Sequence, residues 1–228
     1  MRRVPYPVAI ITSTDPNPPT SPSSPTATPS TSNYTSQFRG MTVSSFMTVT
    51  LTPQPVISFN VRRPSETLHA LLSSGRFLVH LLATDQATAS LARDFARGNQ
   101  NLALGKGMFE FVGVKSSSPL ETGPEAVGAK EGKGPSIPPL PMLRKRKGTD
   151  TSRSQAGTES SLFPFIFECR LLPESVVDVY DHTIVVGTIV RAITSSSAGT
   201  SSNVDIPSEE LCLTYANTKF WEMGKEVV

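Results

Sequence analysis

The sequence predicts a mainly β fold, a closed or half-closed barrel with two peripheral helices. Three observations carry that expectation. Seven segments rich in Val, Ile, Thr and Phe show the partial alternation of half-buried strands. Only two stretches place apolar residues at helical spacing. Three tracts rich in Pro, Ser, Thr or Gly, at about 15–36, 116–160 and 194–207, lower the apolar content to 37% and the charged content to 18% of the 228 residues. Setting them aside leaves on the order of 147 residues, an ordinary size for one domain.

Taken in order, Tyr6–Thr12 (YPVAIIT), Met41–Leu51 (MTVSSFMTVTL), Val56–Val61 (VISFNV) and Phe77–Leu82 (FLVHLL) read as strands. Leu162–Leu172, Ser175–Ile193 and Leu211–Tyr215 read as strands too. Between them, Pro64–Ser74 opens with a proline suited to a first helical turn, sets Leu68, Leu71 and Leu72 on one face and stops at Gly75. Thr84–Arg97 has Thr84 as its N-cap, Leu91 and Phe95 four residues apart, and Gly98 as its stop. With so many strands and so few helices, barrel closure is the economical way to hide sheet edges. The low-complexity tracts fall between elements, where added length is entropically cheap.

Composition excludes several classes of function. With 21 Lys+Arg against 19 Asp+Glu, the net charge of +2 offers no footprint for nucleic acid. No apolar run reaches the roughly 18 to 20 residues that span a bilayer, and Pro5 and Pro7 interrupt any leader after Met1-Arg2-Arg3, so no membrane partner is expected. Cys169 and Cys212 form no CxxC pair, which fits a reducing, cytoplasmic setting, and no His/Cys/Asp/Glu grouping has metal-ligand spacing. Arg144-Lys145-Arg146-Lys147 reads as a solvated charge run inside the second insert, the alternative being a patch for an anionic partner or a nuclear-localisation signal.

Chemistry concentrates in two small-polar patches. Gly40-Met41-Thr42-Val43-Ser44-Ser45-Phe46 is a strand broken by small hydroxyl residues, whose size lets a planar ligand approach backbone N–H groups. Asn60-Val61-Arg62-Arg63-Pro64-Ser65-Glu66-Thr67 ends a strand and opens a helix, whose unpaired N–H donors and partial positive charge suit a phosphate. The same residues also read as a plain helix cap and an ordinary β-rich strand. His69 and His80 read as packing or surface residues. Ser44 and Ser45 lack the Gly-x-Ser-x-Gly turn of a hydrolase nucleophile, and Gly105-x-Gly107 lacks the third glycine of a dinucleotide fingerprint.

Read through, RVPYPVAIIT, GMTVSSFMTVTLTPQPVISFNVRRPSET, SGRFLVHLLATDQATASLARDFARG, FECRL, DHTIVVGTIV and LTYANTKF follow one another in the order of the flavin reductase family, which the chain resembles over nearly all of its ordered residues. The resemblance implies a split β-barrel of Greek-key type that binds FMN, with FAD as the alternative, and takes hydride from NADH or NADPH. It implies one domain over 1–228 and a homodimer holding the flavin near its subunit interface. A flavin-dependent monooxygenase that receives the reduced flavin is the implied partner. Residue by residue, it places Thr42, Val43, Ser44 and Ser45 along the isoalloxazine, and Asn60, Arg62, Ser65 and Thr67 on the ribityl phosphate. Arg93 is the weaker candidate, for phosphate or dimer contacts, the alternative being an exposed helix arginine. His182, in Asp-His-x-x-x-x-Gly, falls where the family sets a histidine near flavin and nicotinamide, or anchors a turn through Asp181.

Two departures from the family keep a second function open, that of a flavin-binding scaffold or storage protein without NAD(P)H turnover. The first strand begins almost at Met1, as an alternative start or a lost N-terminal element would make it, and a longer N-terminus could carry an organellar, for example mitochondrial, signal. The long insert after Val114 stands where the family has a short link, here matched by Pro138–Leu143. A split-barrel oxidase of the pyridoxamine-phosphate kind is the third reading, and the Asp-His-x-x-x-x-Gly segment argues against it.

Overall fold

The computed structural model describes residues 4–17, 36–98, 104, 107–115, 137–146, 162–193 and 212–222. Most of the three low-complexity tracts lies outside the described residues. The strands are β1 (Tyr6–Pro7), β2 (Ala9–Thr14), β3 (Phe38–Val43), β4 (Met47–Thr50), β5 (Val56–Arg62), β6 (Arg76–Leu81), β7 (Phe109–Val114), β8 (Leu140–Lys145), β9 (Phe165–Leu171), β10 (Val177–Val179), β11 (His182–Ile193), β12 (Thr214–Ala216) and β13 (Lys219–Trp221). Helix α1 (Glu66–Ser74) follows β5, and α2 (Gln86–Ala96) follows β6.

One antiparallel sheet runs in the order β3-β2-β6-β9-β11-β5-β4, with β10 paired to β11. Its two outermost strands, β3 and β4, are consecutive in the chain and joined by Ser44–Phe46 alone. The sheet therefore curls into a half-barrel. Parity along each strand sorts residues to its two faces. Ala9, Ile11, Ile57, Phe59, Val61, Phe77, Val79 and Val185 fill the inside, where Leu68 and Leu71 of α1 join them. Val8, Ile10, Leu78, Leu82 and Ile166 face outward and are covered by Leu91 and Phe95 of α2 and by Phe109, Leu140 and Leu143 of the β7–β8 ribbon. Strands β2 and β6 are thus buried on both faces, which is why Val8–Ile11 and Phe77–Val79 are continuous apolar stretches without polar alternation.

The structure revises several boundaries. Ser65, not Pro64, starts α1: its side chain accepts the Leu68 amide at 3.2 Å, and Pro64 stands outside the helix. Asp85, not Thr84, caps α2, accepting the Ala87 amide at 2.6 Å. Leu72 is exposed rather than packed with Leu68 and Leu71. Met41–Leu51 divides at Ser44–Phe46, and Ser175–Ile193 divides into β10, a turn and β11. The largest correction concerns the second insert, in which residues 137–146 carry β8. Arg144 and Arg146 both reach the carboxylate of Glu110 on β7, at 2.7 and 3.8 Å, so these members of the basic run are paired across a ribbon.

That ribbon is held to the sheet by side chains rather than by strand pairing. Thr12 donates its hydroxyl to the Pro141 carbonyl at 2.6 Å and Thr14 to that of Pro139 at 2.5 Å. His80 is fully buried on β6. Its Nε2 accepts the Leu143 amide at 3.1 Å, which fixes the proton on Nδ1, 3.2 Å from the Ile10 carbonyl. Burial lowers its pKa to about 4. The unfolded chain, with an ordinary histidine, therefore takes up the proton first, and the stabilisation from neutral His80 is complete above pH ~6.5 and falls as pH drops toward ~4. In urea titrations across that range, the stability advantage of wild type over His80→Leu should shrink with falling pH, by up to roughly 3 kcal/mol; a constant difference refutes the assignment.

Candidate functional site

On β5 the inward residues Phe59 and Val61 are buried while Asn60 and Arg62 between them are exposed. Across the ladder Asn60 stands opposite Ile184 and Arg62 opposite His182, so three of the candidate polar residues share one outward face. The connection between β3 and β4 meets this face from the other side. The Ser45 hydroxyl accepts the Asn60 amide at 2.8 Å and lies 3.4 Å from its carbonyl, a clasp that prolongs the β4–β5 register, in which Met47 faces Ser58, into the connection. Ser65 completes the group at the start of α1, donating to Met41 Sδ at 3.7 Å while it caps the helix.

The β10–β11 turn, Tyr180–Asp181, closes over the end of β5. Arg63 donates its backbone N–H to the Asp181 carbonyl at 2.8 Å, and its guanidinium bonds the Asp178 carboxylate at 2.9 Å and the Tyr180 carbonyl. Thr183 donates to the other Asp178 oxygen at 2.6 Å. Asp181 bridges two candidates: Oδ1 meets His182 Nδ1 at 2.7 Å and Oδ2 meets Arg62 Nε at 3.2 Å. The His182 hydrogen bond, with further help from Arg62, holds the Asp181 carboxyl below the usual range. These pairs are solvent-exposed and individually weak, so their work is orientation more than stability. Tyr180 sits in the left-handed region at φ 51, which costs a residue with a Cβ on the order of 1 kcal/mol.

The remaining candidates are placed differently. Thr42 spends its hydroxyl on the Ala92 carbonyl of α2 at 2.7 Å, and the Val43 side chain is in the core, so neither side chain faces the shared surface. The backbone of β3, paired to β2 alone, is what these two residues offer there. Ser44 is half-buried in the connection, and Thr67 is buried in the first turn of α1. Arg93 lies over the Phe220 ring at 5.9 Å and belongs to the packing of α2 on the β12–β13 hairpin. From sequence Arg63 reads as a charge beside a phosphate-suited helix start, and Asp178 and Tyr180 carry no signal, because a clamp between positions more than a hundred residues apart leaves no local pattern.

Beside the polar group the outer sheet face is bare and apolar, with Met47, Val49 and Leu51 at or just past β4 and Val177 and Val179 on β10 all exposed. Where α1 meets the β10–β11 turn, an open cleft of about 560 Å³ is lined by Arg63, Ser65, Leu68, Leu72, Tyr180 and Asp181 among others. Neither cysteine is poised for thiolate chemistry: burial raises both thiols, that of Cys212 to about 11. Among the described residues no helix is long and apolar enough to cross a membrane.

Residues 1–129 match the model of the flavin reductase like domain. The chain belongs to that family. It is therefore an oxidoreductase of the flavin-reducing kind, and its fold is the family's split barrel. Among solved structures it is similar to the NADH:FAD oxidoreductase SgcE6 of Streptomyces globisporus C-1027 in complex with NAD and FAD fragments, at 17% identity and a TM-score of 0.53 over 99% of this chain and 90% of that one. Flavin reductase HpaC complexed with NADP+ matches at 20% identity and 0.53, over 98% and 93%. The styrene monooxygenase flavin reductase of Pseudomonas putida S12 matches at 17% and 0.51, over 99% and 96%.

The Ser45 clasp makes its own prediction. Ser45→Ala leaves the Asn60 amide without its acceptor, and urea denaturation should show a loss of about 1 kcal/mol. An unchanged midpoint and slope would show that the clasp contributes nothing to anchoring the connection on β5.

Proposed function

We propose that this family member passes a hydride from NADH or NADPH to FMN, or to FAD, and does so as a cytoplasmic homodimer built from one flavin-binding domain. The observation that carries the reading is the convergence of Asn60, Arg62, Ser65 and His182 beside an uncovered apolar face. A flavin needs these two surfaces together, a flat apolar wall for its rings and a cationic corner for its phosphate. The residues fit that group: small side chains at Ser44 and Ser45 admit a ring against backbone, and the start of α1 with Arg62 offers the anion a helix end.

When bound, the flavin supplies the hydride-accepting ring. The chain's own residues bind and orient. Arg62 and the first turn of α1 hold the phosphate, with Asn60 and Thr67 nearby in the same stretch. The margin of β3 from Thr42 to Ser45 presents backbone groups to the ring edge. His182, fixed through Nδ1 by Asp181, keeps Nε2 as the imidazole's other hydrogen-bonding atom, suited to the carboxamide of a nicotinamide. No strong acid or nucleophile is required, which agrees with a site containing neither. A second copy is the natural cover for the apolar flank, since stretches of exposed Met, Val and Leu on one sheet face mark association surfaces. SgcE6 is described as an NADH:FAD oxidoreductase and another relative as the flavin reductase of styrene monooxygenase, which supports a flavin-dependent monooxygenase as the consumer of the reduced flavin.

Anaerobic mixing of the flavin-loaded protein with NADH and with NADPH should bleach the flavin's visible absorbance; a protein that stays yellow with both is a flavin binder or store and overturns the reductase reading. His182→Ala should retain flavin and reduce it at least tenfold more slowly. Ser65→Ala should weaken FMN binding in a fluorescence titration. For the dimer, sedimentation of Leu51→Asp should show monomer where the wild type shows dimer, and a wild type that sediments as monomer sinks that part.

A further inference from the structure

The cleft between α1 and the β10–β11 turn has no part in holding a flavin ring or a nicotinamide, yet it is built. We propose that it is an adenosine site, in which the ring of Tyr180 stacks on the adenine of a dinucleotide. The proposal rests on the preceding reading of a flavin- and nicotinamide-using protein.

Tyr180 is 97% exposed and backbone-strained at φ 51. A free chain gains from neither property, and glycine at this position would remove both. The turn that carries it is nonetheless fixed from three sides, by the Arg63 amide on Asp181, the Arg63 guanidinium on Asp178 and the Tyr180 carbonyl, and Thr183 on Asp178. The fixed turn sets where the ring is attached, so a ligand has only the two side-chain torsions of Tyr180 left to order. The opposite wall is apolar, made by Leu68, the exposed Leu72 and Pro64. At about 560 Å³ the cleft falls within the size of small-ligand sites, roughly 300 to 1,000 Å³. Its lining includes Ser65 at the start of α1 and Asp181 beside His182, so it adjoins both the proposed phosphate position and the proposed nicotinamide contact. A ligand that ends at a single phosphate leaves Tyr180 and Leu72 exposed, whereas a dinucleotide carries an aromatic base beyond that point. FAD and NAD(P)H share this adenosine chemistry.

The test uses the full chain with Tyr180→Ala, Tyr180→Phe and Tyr180→Gly. Fluorescence titrations compare FAD with FMN, and equilibrium binding to the flavin-loaded protein compares NADH with reduced nicotinamide mononucleotide, which lacks the adenosine. Tyr180→Ala should lose roughly tenfold or more in affinity for one of the adenine-bearing ligands, the scale of one base–aromatic stack, and keep the affinity for its truncated counterpart. Loss for FAD assigns the site to the flavin, and loss for NADH assigns it to the hydride donor. Tyr180→Phe should bind as wild type. Tyr180→Gly should melt at or above the wild-type temperature while losing the same affinity, which separates the effect from misfolding. Unchanged FAD and NADH affinities overturn the proposal, as does an equal loss for FMN and FAD, or a loss of self-association with ligand binding intact. A wild-type protein that binds neither FMN nor NADH, yet binds AMP through Tyr180, would sink the flavin reading and spare this one.

Discussion

The structure depends on one constraint: three residues, Ser44 to Phe46, join the first and last strands of a seven-strand order. Four Cα steps reach at most about 14 Å. Laid flat at about 4.8 Å per strand, the same seven strands would put β3 and β4 about 29 Å apart. The sheet must curl until its margins nearly meet. Ser45, bonded to the Asn60 amide, prolongs the β4–β5 register into the link itself and so anchors the link to the β5 side. From the curl follows an inside and an outside, and with them the alternation that buries Phe59 and Val61 and exposes Asn60 and Arg62.

The outside is covered unequally. Over β2 and β6 lie α2 and the β7–β8 ribbon, so both faces of those strands are core. Over β4, β5 and the start of β11 no comparable cover is found among the described residues, where Met47, Val49, Val177 and Val179 are exposed, and the polar group stands at the margin of that region. Fold and site are therefore two results of the same asymmetry. Gly40 shows how closely the covered side is packed: a Cβ there would come within 2.5 Å of the Phe95 ring of α2, so the helix approaches β3 only because the side chain is missing.

Much of this was legible in the sequence. The strands around Ala9–Thr14, Val56–Arg62 and Arg76–Leu81, both helices, and the pairing of Leu91 with Phe95 on a buried face follow from periodicity and stop signals. Of the candidates that the sequence offers, Asn60, Arg62 and His182 lie on one outward face of the sheet, and Ser65 caps the helix that follows. Strand β8 was not legible, since Leu140-Pro141-Met142-Leu143 sits between prolines and a basic run, and it is held by threonine hydroxyls and a buried histidine rather than by apolar alternation. Thr42 and Thr67 are candidates by residue type and by the family resemblance. Their placement, one bonded to Ala92 and the other buried in α1, depends on packing that no local pattern reports.

The β7–β8 ribbon carries one more implication. Val114 and Leu140 face each other in register, so the two ends of the segment between them stand at adjacent points of the ribbon. A fluorescent reporter or an affinity handle grafted between these two positions would be anchored at both ends, and the same spot offers new termini for a circularly permuted version of the protein.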